Sequence, residues 1–177
     1  MCQLWVNLPR KNKMTKPHYQ PIVDKMIPVV ELKDATSGGA KECVGNLRVI
    51  AGSFLGTKGP ATTFSPVELW DATIQKKATI DFPFPDLYNC IVFVRRGHID
   101  IVGKNGEKVR VGSQAVALMD RKGGRVRIQS AEHDTSLLIM GGLPLNEPIA
   151  ARGPFVMNTL DEINQANKDF MTGNFGR

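Results

Sequence analysis

The sequence predicts an all-β domain, a β-sandwich or a small closed barrel, followed by one amphipathic helix. Three observations carry this expectation. Short apolar stretches recur at near-regular spacing, with Gly or Pro at most of the corners between them. From Val67 to Ile74 the chain alternates: Val67, Leu69, Asp71 and Thr73 point one way, and Glu68, Trp70, Ala72 and Ile74 the other. Near the C-terminus, Thr159 followed three residues on by Glu162 has the form of a capping box, which opens a helix.

Taken in order, the run Leu4-Trp5-Val6-Asn7-Leu8 reads as a short strand ended by Pro9. A loop containing Pro17 and Pro21 leads to a strand at 27–32, then to a turn at Ser37-Gly38-Gly39. The next strand is Leu47–Ala51, closed by Gly52, and Gly56–Pro60 is a loop. After the alternating strand, Lys77–Phe82 is expected as its neighbour. Cys90–Val94 is apolar throughout and reads as a strand buried on both faces. Arg95-Arg96-Gly97 turns the chain into a strand at His98–Val102, and Asn105-Gly106 marks a tight hairpin back to Val109 and Val111. Short strands follow at Ala115–Met119, Arg125–Gln129 and Ser136–Met140. Thr159 then caps a helix of about three turns, with Ile163, Ala166 and Phe170 on one face and Gly173 as its stop. The expected division is therefore a barrel with its opening strand and loops over 1–157, and a helix over 158–173 packed on the barrel or on a partner.

Composition bounds the function. The chain has 177 residues, enough to bury a core without covalent staples, and 42% hydrophobic with 23% charged residues is a globular balance. No apolar stretch nears the roughly 18 residues a membrane helix needs. Cys2, Cys43 and Cys90 are odd in number and form no Cys-x-x-Cys pair, so reduced thiols in a cytoplasmic setting are expected, or a nuclear one in a eukaryote. The net charge of +6 rests on small groups such as Arg10, Lys11, Lys13 and Lys16, or Arg121, Lys122, Arg125 and Arg127. Without a basic helix or an aromatic-rich binding motif, these read as solvated loops and strand ends, and nucleic acid is not an expected partner.

Residues that could carry chemistry are sparse. A mononuclear metal centre needs three or four convergent His, carboxylate or Cys ligands. His18, His98 and His133 lie far apart, with no His-x-His and no His-Glu-x-x-His. His98 and Asp100, two apart on one expected strand, would share a face and are the best local pair for a metal, with His133 as a further candidate. The plainer reading makes His98 and Asp100 the polar outer face of a hairpin and His133 a solvated turn. Cys90 opens an apolar run and is expected to be an inert thiol. No Ser sits in a Gly-x-Ser-x-Gly elbow, and the Gly-Gly pairs lack the strand-to-helix setting of a phosphate loop. No catalytic or cofactor-binding residue is assigned.

The segment Gly153-Pro154-Phe155-Val156-Met157-Asn158-Thr159, with Glu162-Ile163 and the short helix, resembles the C-terminal end of the pirin family. Gln3-Leu4-Trp5-Val6-Asn7-Leu8 resembles the segment leading into that family's second domain. Arg48-Val49-Ile50-Ala51-Gly52, Gly56, Pro60 and Ser65-Pro66 continue the pattern, and Gly173-Asn174-Phe175-Gly176 is similar to bacterial-type members. The resemblance implies a fold: pirins are bicupins, and this chain would be one cupin-class β-barrel (a double-stranded β-helix) with a C-terminal α-helix, corresponding to the second half.

It also implies what the half lacks. In the family the N-terminal barrel holds iron through three histidines and a glutamate, and the second barrel normally holds no metal. The metal-bearing half has no counterpart here, so no iron ligand is carried over and no cofactor is expected in this chain. The resemblance implies two activities, quercetin 2,3-dioxygenase-like oxidation and iron-dependent binding of transcription factors, both tied to the first barrel. For this chain alone a non-catalytic binding or oligomerising role is the leading expectation, with the iron-dependent dioxygenase as the alternative. The apolar opening at Leu4, Trp5, Val6 and Leu8 is the surface expected to be covered by a homodimer partner or another chain.

Overall fold

The computed structural model describes residues 2–36 and 42–176. The turn expected at Ser37-Gly38-Gly39 lies outside the described residues. By its contacts the chain divides into two compact units, one formed by residues 22–144 and the other by residues 1–21 together with 145–177. The opening segment, grouped with the barrel on sequence grounds, thus shares a unit with the C-terminal helix.

The larger unit holds twelve strands in chain order: β1 (Val29–Lys33), β2 (Cys43–Ala51), β3 (Ser53–Phe54), β4 (Thr57–Lys58), β5 (Val67–Ile74), β6 (Thr79–Pro83), β7 (Asn89–Arg96), β8 (Ile99–Val102), β9 (Lys108–Val111), β10 (Ala115–Met119), β11 (Arg125–Ser130) and β12 (Thr135–Gly142). They form a six-stranded sheet in the order β1-β2-β5-β12-β7-β10, a four-stranded sheet in the order β6-β11-β8-β9, and the β3-β4 hairpin. The fold is mostly β, built as a sandwich of two sheets rather than as a closed ring of strands.

Strand periodicity decides what fills the space between the sheets. On β5 the inward positions Glu68, Trp70, Ala72 and Ile74 are buried, as the alternation predicts. Leu47 and Val49 of β2, Val92 and Val94 of β7, and Leu137 and Ile139 of β12 extend this wall. Ile80 and Phe82 of β6, Val126 and Ile128 of β11, Ile99 of β8 and Val111 of β9 form the opposite wall. Trp70, 1% exposed, sits at the centre. Its ring meets Phe54 at 5.1 Å and Phe84 at 5.3 Å between centroids, both edge-to-face, the favoured geometry for aromatic quadrupoles.

Three expectations change at the level of pairing. Lys77–Phe82 does not pair with β5: β6 crosses to the other sheet and pairs with β11, Phe82 opposite Val126. Alternation tells which face a strand buries and leaves its neighbour open. The run Cys90–Val94 is not buried on both faces: Cys90, Val92 and Val94 are buried, while Ile91 and Phe93 turn outward and are half-exposed. His98 is not on a strand, because β8 begins at Ile99. The Asn105-Gly106 hairpin forms as expected between β8 and β9, with Gly106 at φ +83.

The outer faces of the two sheets differ. The four-stranded sheet carries an ionic lattice. Asp81 takes two 2.7 Å hydrogen bonds from Arg127, Asp100 takes bonds of 2.8 and 3.1 Å from Arg110, and Lys108 donates to Gln129 at 2.7 Å. The six-stranded sheet carries two apolar rows: Leu69, Met140, Ile91 and Leu118 in one, Leu138, Phe93 and Val116 in the other. Leu118 at the strand edge is 78% exposed.

The smaller unit contains β13 (Ala150–Arg152), β14 (Phe155–Met157) and α1 (Leu160–Met171). Thr159 is the N-cap, and both arms of the capping box form. Leu4–Leu8 is not a strand; it runs as irregular chain, with Trp5 72% exposed. It is tied through the Asn7 side chain instead: Lys13 Nζ donates to Asn7 Oδ1 at 2.7 Å and to the Val156 carbonyl at 3.1 Å. Phe155, Ile163 and Ala166 are buried, and Phe155, Phe170 and Phe175 meet edge-to-face. Phe170, expected on the buried helix face, covers Phe155 from outside and stays largely exposed.

These packing assignments separate two substitutions. Trp70→Ala is expected to cost about 3–5 kcal/mol in denaturant unfolding, the range for deleting a buried aromatic. Leu118→Ala is expected to stay within about 0.5 kcal/mol of the parent, because its side chain leaves little contact behind. Equal losses for both would contradict the placement of the core.

Candidate functional site

Three regions of the fold could hold chemistry: the interior of the sandwich, a depression at one end of it, and a groove in the smaller unit. The interior is where a cupin-type metal centre would have to be built. Its walls are Leu, Val, Ile, Ala, Phe and Trp, with Glu68 the one buried carboxylate among the described residues. Glu68 accepts a hydrogen bond from the Ser53 N–H at 2.8 Å. Burial raises its pKa, and the Ser53 N–H and the Trp70 indole N–H pull part of that back. Gly52, at φ +74, leaves the room this carboxylate occupies, since a Cβ there would fall on it. A single carboxylate between apolar walls does not make a metal centre, and no group of three or more His, Cys, Asp or Glu among the described residues could hold a metal ion. The residues present therefore do not fit an iron centre of the kind that the resemblance implies for a pirin barrel.

The three sequence candidates fall in two places. Asp100 lies on the outer face of the four-stranded sheet, where the Arg110 guanidinium lowers its pKa and occupies both of its oxygens. His98 and His133 come together at the rim of the end depression, with Lys76, Arg96, Glu132 and Asp134. Sequence distance concealed that meeting, which follows from three strand connections ending at the same edge. His18 is exposed in the smaller unit. Cys90 is buried, and burial pushes its thiol up to about 12, so it is protonated and unreactive at neutral pH.

The groove in the smaller unit has a volume of ≈ 460 Å³ and is lined mainly by apolar side chains, among them Trp5, Leu8, Phe155, Met157, Phe170 and Phe175. Its polar lining residues are already engaged, Lys13 with Asn7 and the Val156 carbonyl. The groove can bind apolar surface and has no free acid–base group for catalysis.

Residues 69–176 match the family model for the pirin C-terminal cupin domain. The chain belongs to the pirin family. A Pseudomonas aeruginosa protein named provisionally as a quercetin 2,3-dioxygenase is 41% identical over 177 residues, all of this chain and 57% of its own length. Rat pirin is 30% identical over 175 residues, covering 98% of this chain and 56% of its own. The crystal structure of a quercetin 2,3-dioxygenase from Acinetobacter baumannii superposes with a TM-score of 0.84 at 40% identity, covering 97% of this chain and 55% of that one. The pirin chain thus spans little more than half the length of these relatives, and its match is to their C-terminal half. No helix among the described residues is long and apolar enough to cross a membrane.

Two measurements check this geometry. Gly97 has φ +85, and a Cβ there would lie 2.6 Å from Thr135 Oγ1 and 3.0 Å from the Asp134 carbonyl. Gly97→Ala is expected to lose about 1–3 kcal/mol of unfolding free energy; a loss within about 0.3 kcal/mol would contradict this placement. For Glu68, a raised pKa in the fold means its proton stabilises the fold. That contribution is complete below the ordinary carboxylate value of 4.5 and is lost as pH rises through the raised value. Relative to the parent, Glu68→Gln should therefore gain stability as the urea midpoint is followed from about pH 4 to about pH 7. A difference that does not vary with pH would count against a buried carboxyl.

Proposed function

We propose that this pirin domain is a metal-free, non-catalytic cupin that acts by binding, either to a second copy of itself or to another protein. The observation that carries the proposal is the filling of the sandwich interior. Along the central strands the inward side chains Trp70, Ala72 and Ile74 of β5, Cys90, Val92 and Val94 of β7, and Leu137 and Ile139 of β12 are buried, with Glu68 and Thr135 the buried polar ones among them. A reacting metal needs three or four convergent donors, and among the described residues no such group is assembled around Glu68. Binding is supported by the apolar rows on the six-stranded sheet and by the groove around Trp5 and Phe155. Burying apolar area is worth about 25 cal/mol per Å², so such faces favour association. The free cysteines fit a reducing, cytoplasmic setting.

A second reading rests on the names of the Pseudomonas and Acinetobacter relatives: quercetin 2,3-dioxygenase activity of a longer protein that this domain supports, with iron in the N-terminal barrel as the family resemblance implies.

The metal-free assignment is tested on the purified 177-residue chain loaded anaerobically with iron(II). The proposal expects far less than one iron per chain after desalting, and no oxygen uptake above background with quercetin. Retention of about one iron per chain, the stoichiometry of a mononuclear site, would refute the metal-free assignment. Size-exclusion chromatography with light scattering tests the partner: a dimer supports self-association, and a monomer at micromolar concentration directs the search to another protein.

A further inference from the structure

The depression at the end of the sandwich takes no part in the proposed function, yet its construction is specific. Three connections meet there: β5 to β6 through Lys76 and Lys77, β7 to β8 through Arg96, Gly97 and His98, and β11 to β12 through Glu132, His133 and Asp134. Their backbones are bolted together. The His98 carbonyl accepts from the Ala131 N–H at 3.1 Å and from Thr135 Oγ1 at 3.2 Å. The Lys77 N–H donates to the Ala131 carbonyl at 2.9 Å, and the Lys76 N–H to Asp134 Oδ1 at 3.0 Å. Gly97 permits the close approach to Thr135 described above.

The side chains on this fixed frame divide by sign. Both carboxylates are engaged, Glu132 by Lys77 Nζ at 3.2 Å and Asp134 by the Lys76 backbone. The side chains of Lys76, Arg96, His98 and His133 carry no hydrogen bond or ion pair among the described residues, and all four line one open depression of ≈ 700 Å³. Cation-capable groups from three separate loops therefore surround one space, with the local negative charge already tied down.

We propose that this depression binds a small phosphate-bearing ligand. Donors from three directions match a tetrahedral oxyanion, which offers oxygens on all sides, better than a planar carboxylate, which favours one two-pronged donor. Lys76, Arg96, His98 and His133 supply the donors, while Glu132 is held by Lys77 and Asp134 by the Lys76 N–H. The site is independent of whether the domain is catalytic.

Calorimetric titration of the intact chain with inorganic pyrophosphate tests the proposal, with citrate as the carboxylate counterpart. Saturable one-to-one binding is expected, about tenfold tighter for pyrophosphate than for citrate. Arg96→Gln, and separately the pair His98→Gln with His133→Gln, should weaken it about tenfold, the loss of one charge-assisted contact. The pair Arg121→Gln with Lys122→Gln removes two charges outside the depression and should leave binding unchanged. All these side chains are exposed, so matching melting curves will confirm that the variants fold. Absence of saturable binding would overturn the proposal, as would citrate binding as tightly as pyrophosphate, or an equal loss in the Arg121/Lys122 control.

Discussion

The packing of two β-sheets on a shared apolar filling is the constraint from which the other features of this domain follow. A strand offers one inward side chain in every two, so a sandwich of this size has few interior positions. Nearly all of them hold Leu, Ile, Val, Phe or Trp. Each such side chain contributes about 1.5–3 kcal/mol on burial, and Trp70 adds edge-to-face contacts with Phe54 and Phe84, while Phe54 meets Phe82 at a tilt. A set of metal donors would have to displace that filling. In this domain the interior works as a core, and polar chemistry is left to the outer faces and to the loops that end the strands.

The charged residues follow the same logic. On the four-stranded sheet, Asp81 and Asp100 are bracketed by Arg127 and Arg110, which suits a face turned to water. On the six-stranded sheet an ionic chain runs Arg95–Asp71–Arg48–Asp24, and the apolar rows occupy strand positions beyond it. The apolar core of the smaller unit is Phe155, Ile163 and Ala166, with Pro9 and Asn158 also buried among its described residues. So small a core contributes little, and the polar ties of this unit matter correspondingly more. Arg10 pairs with Glu162 at 3.0 Å, and Asn158 donates to the Pro148 carbonyl at 2.8 Å. The Asn158 N–H, ahead of Arg10, holds the Glu162 carboxyl below its ordinary pKa, so the charged form needed by the capping box is favoured.

Much of this was legible in the residues. The alternation of Val67–Ile74 identified the buried face of β5 residue by residue, and Asn105-Gly106 placed the hairpin. Thr159 and Glu162 set the start of the helix, since a capping box is local chemistry. The run Gly153–Thr159 pointed to the family. What stayed hidden was non-local. Periodicity could not tell that β6 belongs to the second sheet, because the Lys76-Lys77 turn can feed either. Leu4–Leu8 is apolar enough for a strand, but a strand also needs a neighbour to satisfy its backbone, and none pairs with it. His98 and His133 meet only because two connections separated by more than thirty residues end at the same edge, and Asp100 leaves them because its strand position points to Arg110.

The central claim is that the space between the sheets is closed and apolar. Methyl NMR of the chain titrated with cobalt(II) tests it most directly, since a paramagnetic ion broadens the groups closest to it. The account predicts that the methyls of Val49, Ala72, Leu137 and Ile139 keep their linewidths and positions at several equivalents of metal. Selective broadening centred on those methyls would place a metal inside the sandwich and contradict the account.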